Sequence, residues 1–213
     1  MLTPNLLPLS KRLYQETKVL HEQLESRSFV LALRDQKLAE KDYIQHLADL
    51  KLVYETLEQG MRENKDIPPI KALFDEKLCR TSALEKDLRS FHALDTKPTA
   101  SALQYAEHLR ELAATKPILL LAHAYVRYLG DLSGGRMIKK SVEQLFPGEH
   151  TAFYDFDDLL GQNAIGAKFV EYKNKWKDHL DTQEFTDNDK MALENEAKMG
   201  FEFAGRMFSE LEK

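Results

Sequence analysis

From position 43 to 61 the apolar residues step by three and four: Tyr43, Leu47, Leu50, Tyr54, Leu57 and Met61 fall on one face, with mostly polar residues between them. That spacing predicts an amphipathic helix with its stripe toward the core. An earlier helix is expected over about 10 to 26, where Leu13, Thr17, Leu20, His21 and Leu24 share a core-facing stripe. Ser82 with Glu85, and Thr186 with Asp189, have the spacing of a capping box ahead of amphipathic runs, so each pair is expected to start a helix. Proline or glycine ends the periodic pattern at 66–69, 95–98 and 146–148, which are read as loops rather than linkers. No alternating Val/Ile/Thr-rich run is bounded by hairpin turns, so the expected fold is all-α. With no repeat and no low-complexity segment, residues 1–213 read as one domain.

The segment from Pro117 to the proline at 147 reads as one long helix, strongly apolar at its start. Three of the chain's nine glycines, Gly130, Gly134 and Gly135, fall within six residues of it. Each costs roughly 1 kcal/mol relative to alanine in a helix interior, so something must offset the loss. Two readings stand: a close helix crossing, or a surface cleared so that a flat ligand can lie on the backbone. Asp131 and Ser133 are polar yet sit among these glycines, and Tyr125, Arg127 and Tyr128 lie one or two turns earlier. Arg127 and Asp131 form either an ordinary i,i+4 pair or part of a polar network beside a ligand.

His21 lies on the apolar stripe of the first long helix with Glu25 four residues on. A neutral imidazole there could bind iron through Nε2, with Glu25 accepting its other ring proton; the alternative is a buried histidine satisfied by a neighbour. The other histidines, at 46, 92, 108, 123, 150 and 179, show no metal-type spacing, and His123 is expected to be a structural donor. The absence of a Cys-x-x-Cys-His motif excludes covalent c-type heme attachment.

Composition narrows the partners. Thirty Lys plus Arg against 35 Asp plus Glu leave a net charge of −5, which offers no general attraction for nucleic acid. The single cysteine, Cys79, fits a reducing compartment. The N-terminus carries prolines at 4 and 8 and its first positive charge at Lys11, the reverse of a secretory signal. The most apolar run, 117–125, is about half the ~20 residues of a membrane span, and the chain ends in MFSELEK without an apolar tail. A cytoplasmic protein with no membrane anchor is expected, with a monomer as the default.

The stretch LAHAYVRYLGDLSGG (121–135) resembles the distal-helix signature of heme oxygenases. The likeness continues in TKVLHEQLE (17–25), YETLEQGMRENKD (54–66), ALEKDL (83–88) and the terminal FEFAGRMFSEL. It implies a multi-helical bundle holding heme between a proximal helix and a kinked distal one. By position, His21 matches the proximal iron ligand and Glu25 its companion carboxylate. Gly130 and Gly134 match the distal glycines against the porphyrin, with Ser133 beside them. Asp131 matches the distal acid that organises water, while Tyr54 and Arg127 match members of its network. Tyr125 matches a tyrosine near a propionate, and Phe201 and Phe208 match pocket aromatics. The propionate clamp matches less well: Tyr14 stands where the family has lysine, which leaves Lys18 on the first helix and Lys173, or Lys168 or Lys175, on a later one. The implied reaction uses heme as both cofactor and substrate, O2 as co-substrate and electrons from an external donor, an NADPH-dependent reductase or a ferredoxin. Its products are biliverdin, carbon monoxide and ferrous iron. The rival readings are a non-catalytic heme storage or transfer protein and a purely structural helical protein.

Overall fold

A computed structural model describes residues 7–162 and 164–212. The proline at position 4 lies in residues 1–6, outside the described residues. The described residues form ten α-helices and no strand: α1 (Leu9–Glu25), α2 (Ser28–Arg34), α3 (Glu40–Glu63), α4 (Pro68–Leu73), α5 (Thr81–Ser90), α6 (Ala100–Thr115), α7 (Leu120–Leu145), α8 (Asp157–Leu160), α9 (Gly166–Asp181) and α10 (Asp187–Leu211). None is long and apolar enough to cross a membrane.

The centre of the core is α3. Its stripe is fully buried, and α3 packs chiefly against α6 and α5. Each such side chain contributes about 1.5–3 kcal/mol through area removed from water. Gly60 lets the helices come close, since a methyl group there would stand 3.0 Å from Leu120 Cδ1 and 3.1 Å from Ala113 Cβ. The breaks expected at 95–98 and 146–148 fall between helices, whereas the one at 66–69 runs into the start of α4, where Pro68 and Pro69 occupy the first turn instead of a loop. Pro117 does not open α7 directly, because Pro117–Leu119 form a 3-10 turn that leads into it.

The two expected helix starts differ in how they are capped. Thr186 and Asp189 form the expected reciprocal capping box of α10. Ser82 and Glu85 do not cap α5, which begins one residue earlier at Thr81, behind an Arg80 that offers no side-chain bond. The capping group comes instead from the core: Glu58 of α3 accepts from the backbone N–H of Arg80 at 2.5 Å and of Thr81 at 3.3 Å, and from the Thr81 hydroxyl at 2.6 Å. Asp49 of α3 does the same for α6 through Thr99, at 2.7 Å to both its backbone N–H and its hydroxyl. A carboxylate delivered by tertiary packing has no local signature. Removing it leaves buried donors unpaired, so Glu58→Ala is expected to cost about 1–3 kcal/mol or more. Thr186→Ala on the exposed box should cost about 1 kcal/mol. Urea unfolding at neutral pH measures both; an equal or smaller loss at Glu58 would contradict the tertiary cap.

Candidate functional site

Helices α9 and α10 each pack against both α1 and α7, which makes the space between α1 and α7 the candidate cleft. On the α7 side, Gly130, Ser133, Gly134 and Met137 recur at the spacing of one helix face. That face is open: Gly130 and Ser133 are exposed, and Met137 is 66% exposed. A methyl group built on Gly130 would meet no atom within 4 Å, and on Gly134 it would meet only Ile138 Cδ1 at 3.9 Å. Gly135 turns elsewhere, where an added methyl would stand 3.2 Å from Tyr154 Cδ1. The glycines therefore divide: Gly135 makes room for Tyr154 of the turn at 152–154, not for a crossing helix, while the face of Gly130 and Gly134 is left uncovered.

Beneath that surface sits a polar cluster. The Tyr54 hydroxyl donates to Asp131 Oδ2, and the Arg127 guanidinium lies 3.7 Å from Asp131 Oδ1 and 5.6 Å from the centre of the Tyr54 ring. Tyr54 is completely buried, packed against Tyr128 and Phe153. Burial pushes the Asp131 carboxyl above the usual carboxylate range, against the opposing pull of Arg127 and of the Tyr54 hydrogen bond. Burial also works against the Arg127 charge, but Tyr54 and Asp131 outweigh it and hold the guanidinium protonated. The cluster thus couples a fixed cation to a carboxyl whose proton affinity is raised.

On the α1 side the stripe divides. Leu13 and Thr17 are buried against the core, Leu20 and Leu24 are half-buried, and His21 has a side chain 50% exposed. The expected buried setting of His21 is thereby corrected: the C-terminal half of α1 opens onto the cleft instead of continuing into the core. The imidazole makes an edge contact with Phe201 of α10, ring centres 5.8 Å apart. Its Nδ1 stands 3.7 Å from Glu25 Oε2, outside hydrogen-bond range but on the side that leaves Nε2 unengaged.

The remaining candidates line the rim and the far wall. Lys173 Nζ donates to the Ser133 hydroxyl at 2.8 Å, which ties α9 to the open face of α7. Lys18 is exposed and faces Glu22 at 3.8 Å. Tyr125 is buried beside Trp176, and its hydroxyl is pushed up to about 12 by burial and by Tyr14 and Asp181. Phe208 stacks on Phe29 of α2 and touches His46 of α3. Phe29 and His46 were not singled out from the sequence, because α2 is too short to show a period and His46 falls between the stripe residues of α3.

Histidines 108 and 123, which showed no metal-type spacing, come together in space. Both Nε2 atoms contact Oε1 of Glu196, at 2.5 and 2.8 Å, and the Tyr105 hydroxyl is 2.9 Å from His123 Nδ1. The expectation that no histidines cluster is corrected, since α6, α7 and α10 bring distant positions into contact. At direct hydrogen-bond distance the two rings and the carboxylate satisfy one another without an ion, and His123 is the structural donor expected of it.

The heme oxygenase family model matches residues 7–210. A heme oxygenase of Rhodella violacea is 32% identical over 210 residues, spanning 95% of this chain and 86% of its own. Heme oxygenase-1 of the cyanobacterium Synechocystis, solved in complex with heme, superposes with a TM-score of 0.87 at 31% identity, over 97% of this chain and 93% of that one. The heme oxygenase of Leptospira interrogans gives a TM-score of 0.88 at 30% identity, over 96% and 100%. The likeness runs from α1 into α10 and includes both sides of the cleft, and the chain belongs to the heme oxygenase family.

Proposed function

We propose that this chain takes heme into the cleft between α1 and α7, ligates its iron through His21, and opens the ring oxidatively to biliverdin, carbon monoxide and ferrous iron. One observation carries the reading: α7 bears both the face cleared by Gly130 and Gly134 and the Arg127–Asp131 pair bonded to Tyr54, while α1, joined to α7 through α9 and α10, presents an exposed imidazole. A flat apolar ring with one metal-binding centre fits such a pair of walls, and a storage protein has no use for a proton-holding cluster beneath one of them.

Heme, as substrate, supplies the iron centre at which O2 is reduced. The chain's own residues govern position and protons. His21 presents Nε2 while Glu25 faces the other ring nitrogen, and the edge of Phe201 restricts rotation of the imidazole. Gly130 and Gly134, with no side chain in the way, would admit the flat face of heme to backbone contact. Asp131, whose proton affinity burial raises, would relay a proton to water at the cleft, and Tyr54 and Arg127 fix the direction of its carboxyl group. Phe208 closes the wall behind.

For the propionates, Lys173 is better placed than Lys18, since it already reaches the open face of α7 whereas Lys18 faces Glu22. Tyr125 takes the neighbouring edge. The electron donor is external, an NADPH-dependent reductase or a ferredoxin, and an acidic surface on it would meet the lysines at 18, 168, 173 and 175. We take the chain as one domain, monomeric and cytoplasmic.

Two substitutions test the proposal. Gly130→Leu should leave the ligand-free protein at least as stable to urea, because glycine costs a helix about 1 kcal/mol and the added side chain starts in open space. Hemin affinity, read by Soret titration, should fall about tenfold or more from overlap with the ring. Unchanged affinity would mean that the cleared face does not meet the ligand. Asp131→Ala should keep its hemin affinity but form biliverdin about a hundredfold more slowly with reductant, O2 and catalase present. A normal rate would remove Asp131 from the proton path.

A further inference from the structure

Asp87 of α5 is fully buried. Its two oxygens accept separate backbone N–H groups of the turn at 152–154: Oδ1 from Ala152 at 2.7 Å and Oδ2 from Phe153 at 2.8 Å. Thr151, at the head of the turn, offers no side-chain bond of its own, so the Ala152 donor relies on a carboxylate 65 residues away. The far end is held as well: Arg80 donates to the backbone oxygen of Asp155 and lies over the Phe156 ring at 4.2 Å.

The two aromatic side chains between these anchors reach different helices. Phe153 sets its ring edge against Tyr54 of α3, centres 5.7 Å apart. Tyr154 fills the notch at Gly135 of α7, where a methyl group would stand 3.2 Å from its Cδ1. Gly135 lies one helical turn after Asp131. Neighbouring residues of one short turn therefore bear on the helices that carry the two partners of the Tyr54–Asp131 hydrogen bond. Both are buried, and their rings meet edge to face at 4.9 Å, so a displacement of the turn's backbone is carried to both helices.

We propose that Asp87 is a positioning residue for the Tyr54–Asp131 hydrogen bond, which it holds in place through the turn at 152–154. A hydrogen bond between side chains of two helices depends on how those helices are spaced, and it weakens steeply as distance and angle drift. α5 packs on α3, and the turn packs on both α5 and α7, so the turn spaces the two helices from a seat fixed by Asp87. An asparagine at that place keeps the shape of the side chain but sets an amide NH2 against one backbone N–H, so one of the two anchors is lost. The positioning is a property of the ligand-free chain; its consequence for turnover rests on the heme reading above.

The test starts with the ligand-free protein. The Tyr54 hydroxyl proton, buried and bonded to a carboxyl group, should give a downfield, slowly exchanging signal in proton NMR spectra. In Asp87→Asn that signal should move upfield and exchange with solvent about tenfold faster. Asp49→Asn, which weakens the cap of α6 at Thr99 in the same way, should leave the Tyr54 shift unchanged. With hemin bound, Asp87→Asn should form biliverdin about fivefold more slowly or worse, while hemin affinity by Soret titration stays within about twofold. An unchanged Tyr54 signal in Asp87→Asn overturns the proposal, and so does an equal change in Asp49→Asn. A rate that falls only in proportion to hemin affinity also overturns it, because Asp87 would then serve the fold alone. Should Asp87→Asn not fold, Tyr154→Leu keeps the buried cap and loosens the fit at Gly135; the Tyr54 signal should again move, and a signal that stays in place overturns the proposal. A Tyr54 signal that responds to Asp87 in a chain that binds no hemin would keep the positioning role and lose only the heme reading.

Discussion

Asp131 is a carboxylate placed under a glycine-thinned stretch of helix, and taking it from water without partners would cost several kcal/mol. Tyr54 reaches it from α3 and Arg127 from one turn back on α7. Because one partner belongs to another helix, the cluster fixes the rotation of α7 against the core as well as satisfying the charge. Everything else about the cleft follows from that rotation. With Asp131 turned inward to Tyr54, Gly130 and Gly134 face open space and Gly135 faces Tyr154. The same side chains that make burial tolerable therefore also help to aim the cleared face.

The opposite wall is arranged differently. α1 spends its first half on packing, with Leu13 and Thr17 buried, and its second half on the cleft, with His21 exposed against Phe201. α10 supplies that phenylalanine and also packs on α7, which sets the spacing of the two walls. Ser133 and Lys173 close the end at α9. The α7 wall, tied to the core through Tyr54, thus stands beside a more exposed α1 wall.

What the amino-acid pattern revealed depended on the range of the interaction. The α3 stripe, the breaks at proline and glycine and the Thr186–Asp189 box are local, and the structure follows them. The α5 cap was misassigned because its carboxylate arrives from Glu58, more than twenty residues away. The histidine–glutamate cluster at 108, 123 and 196 was invisible for the same reason. Among the site positions, the glycines were informative because three in one helix contradict its propensity, and the structure separates them into two roles. His46 gave no such signal, because its packing against Phe29 and Phe208 is tertiary and no spacing rule records it.

The central claim is that the exposed imidazole of α1 is the protein's bond to iron. The ferrous heme complex tests it directly through the iron–imidazole stretching band in resonance Raman spectra. The account predicts a band that shifts on nitrogen-15 labelling of histidine, is absent from His21→Ala, and returns when free imidazole is added to that variant. A band that persists unchanged in His21→Ala, without added imidazole, would place the iron on another residue and contradict the account.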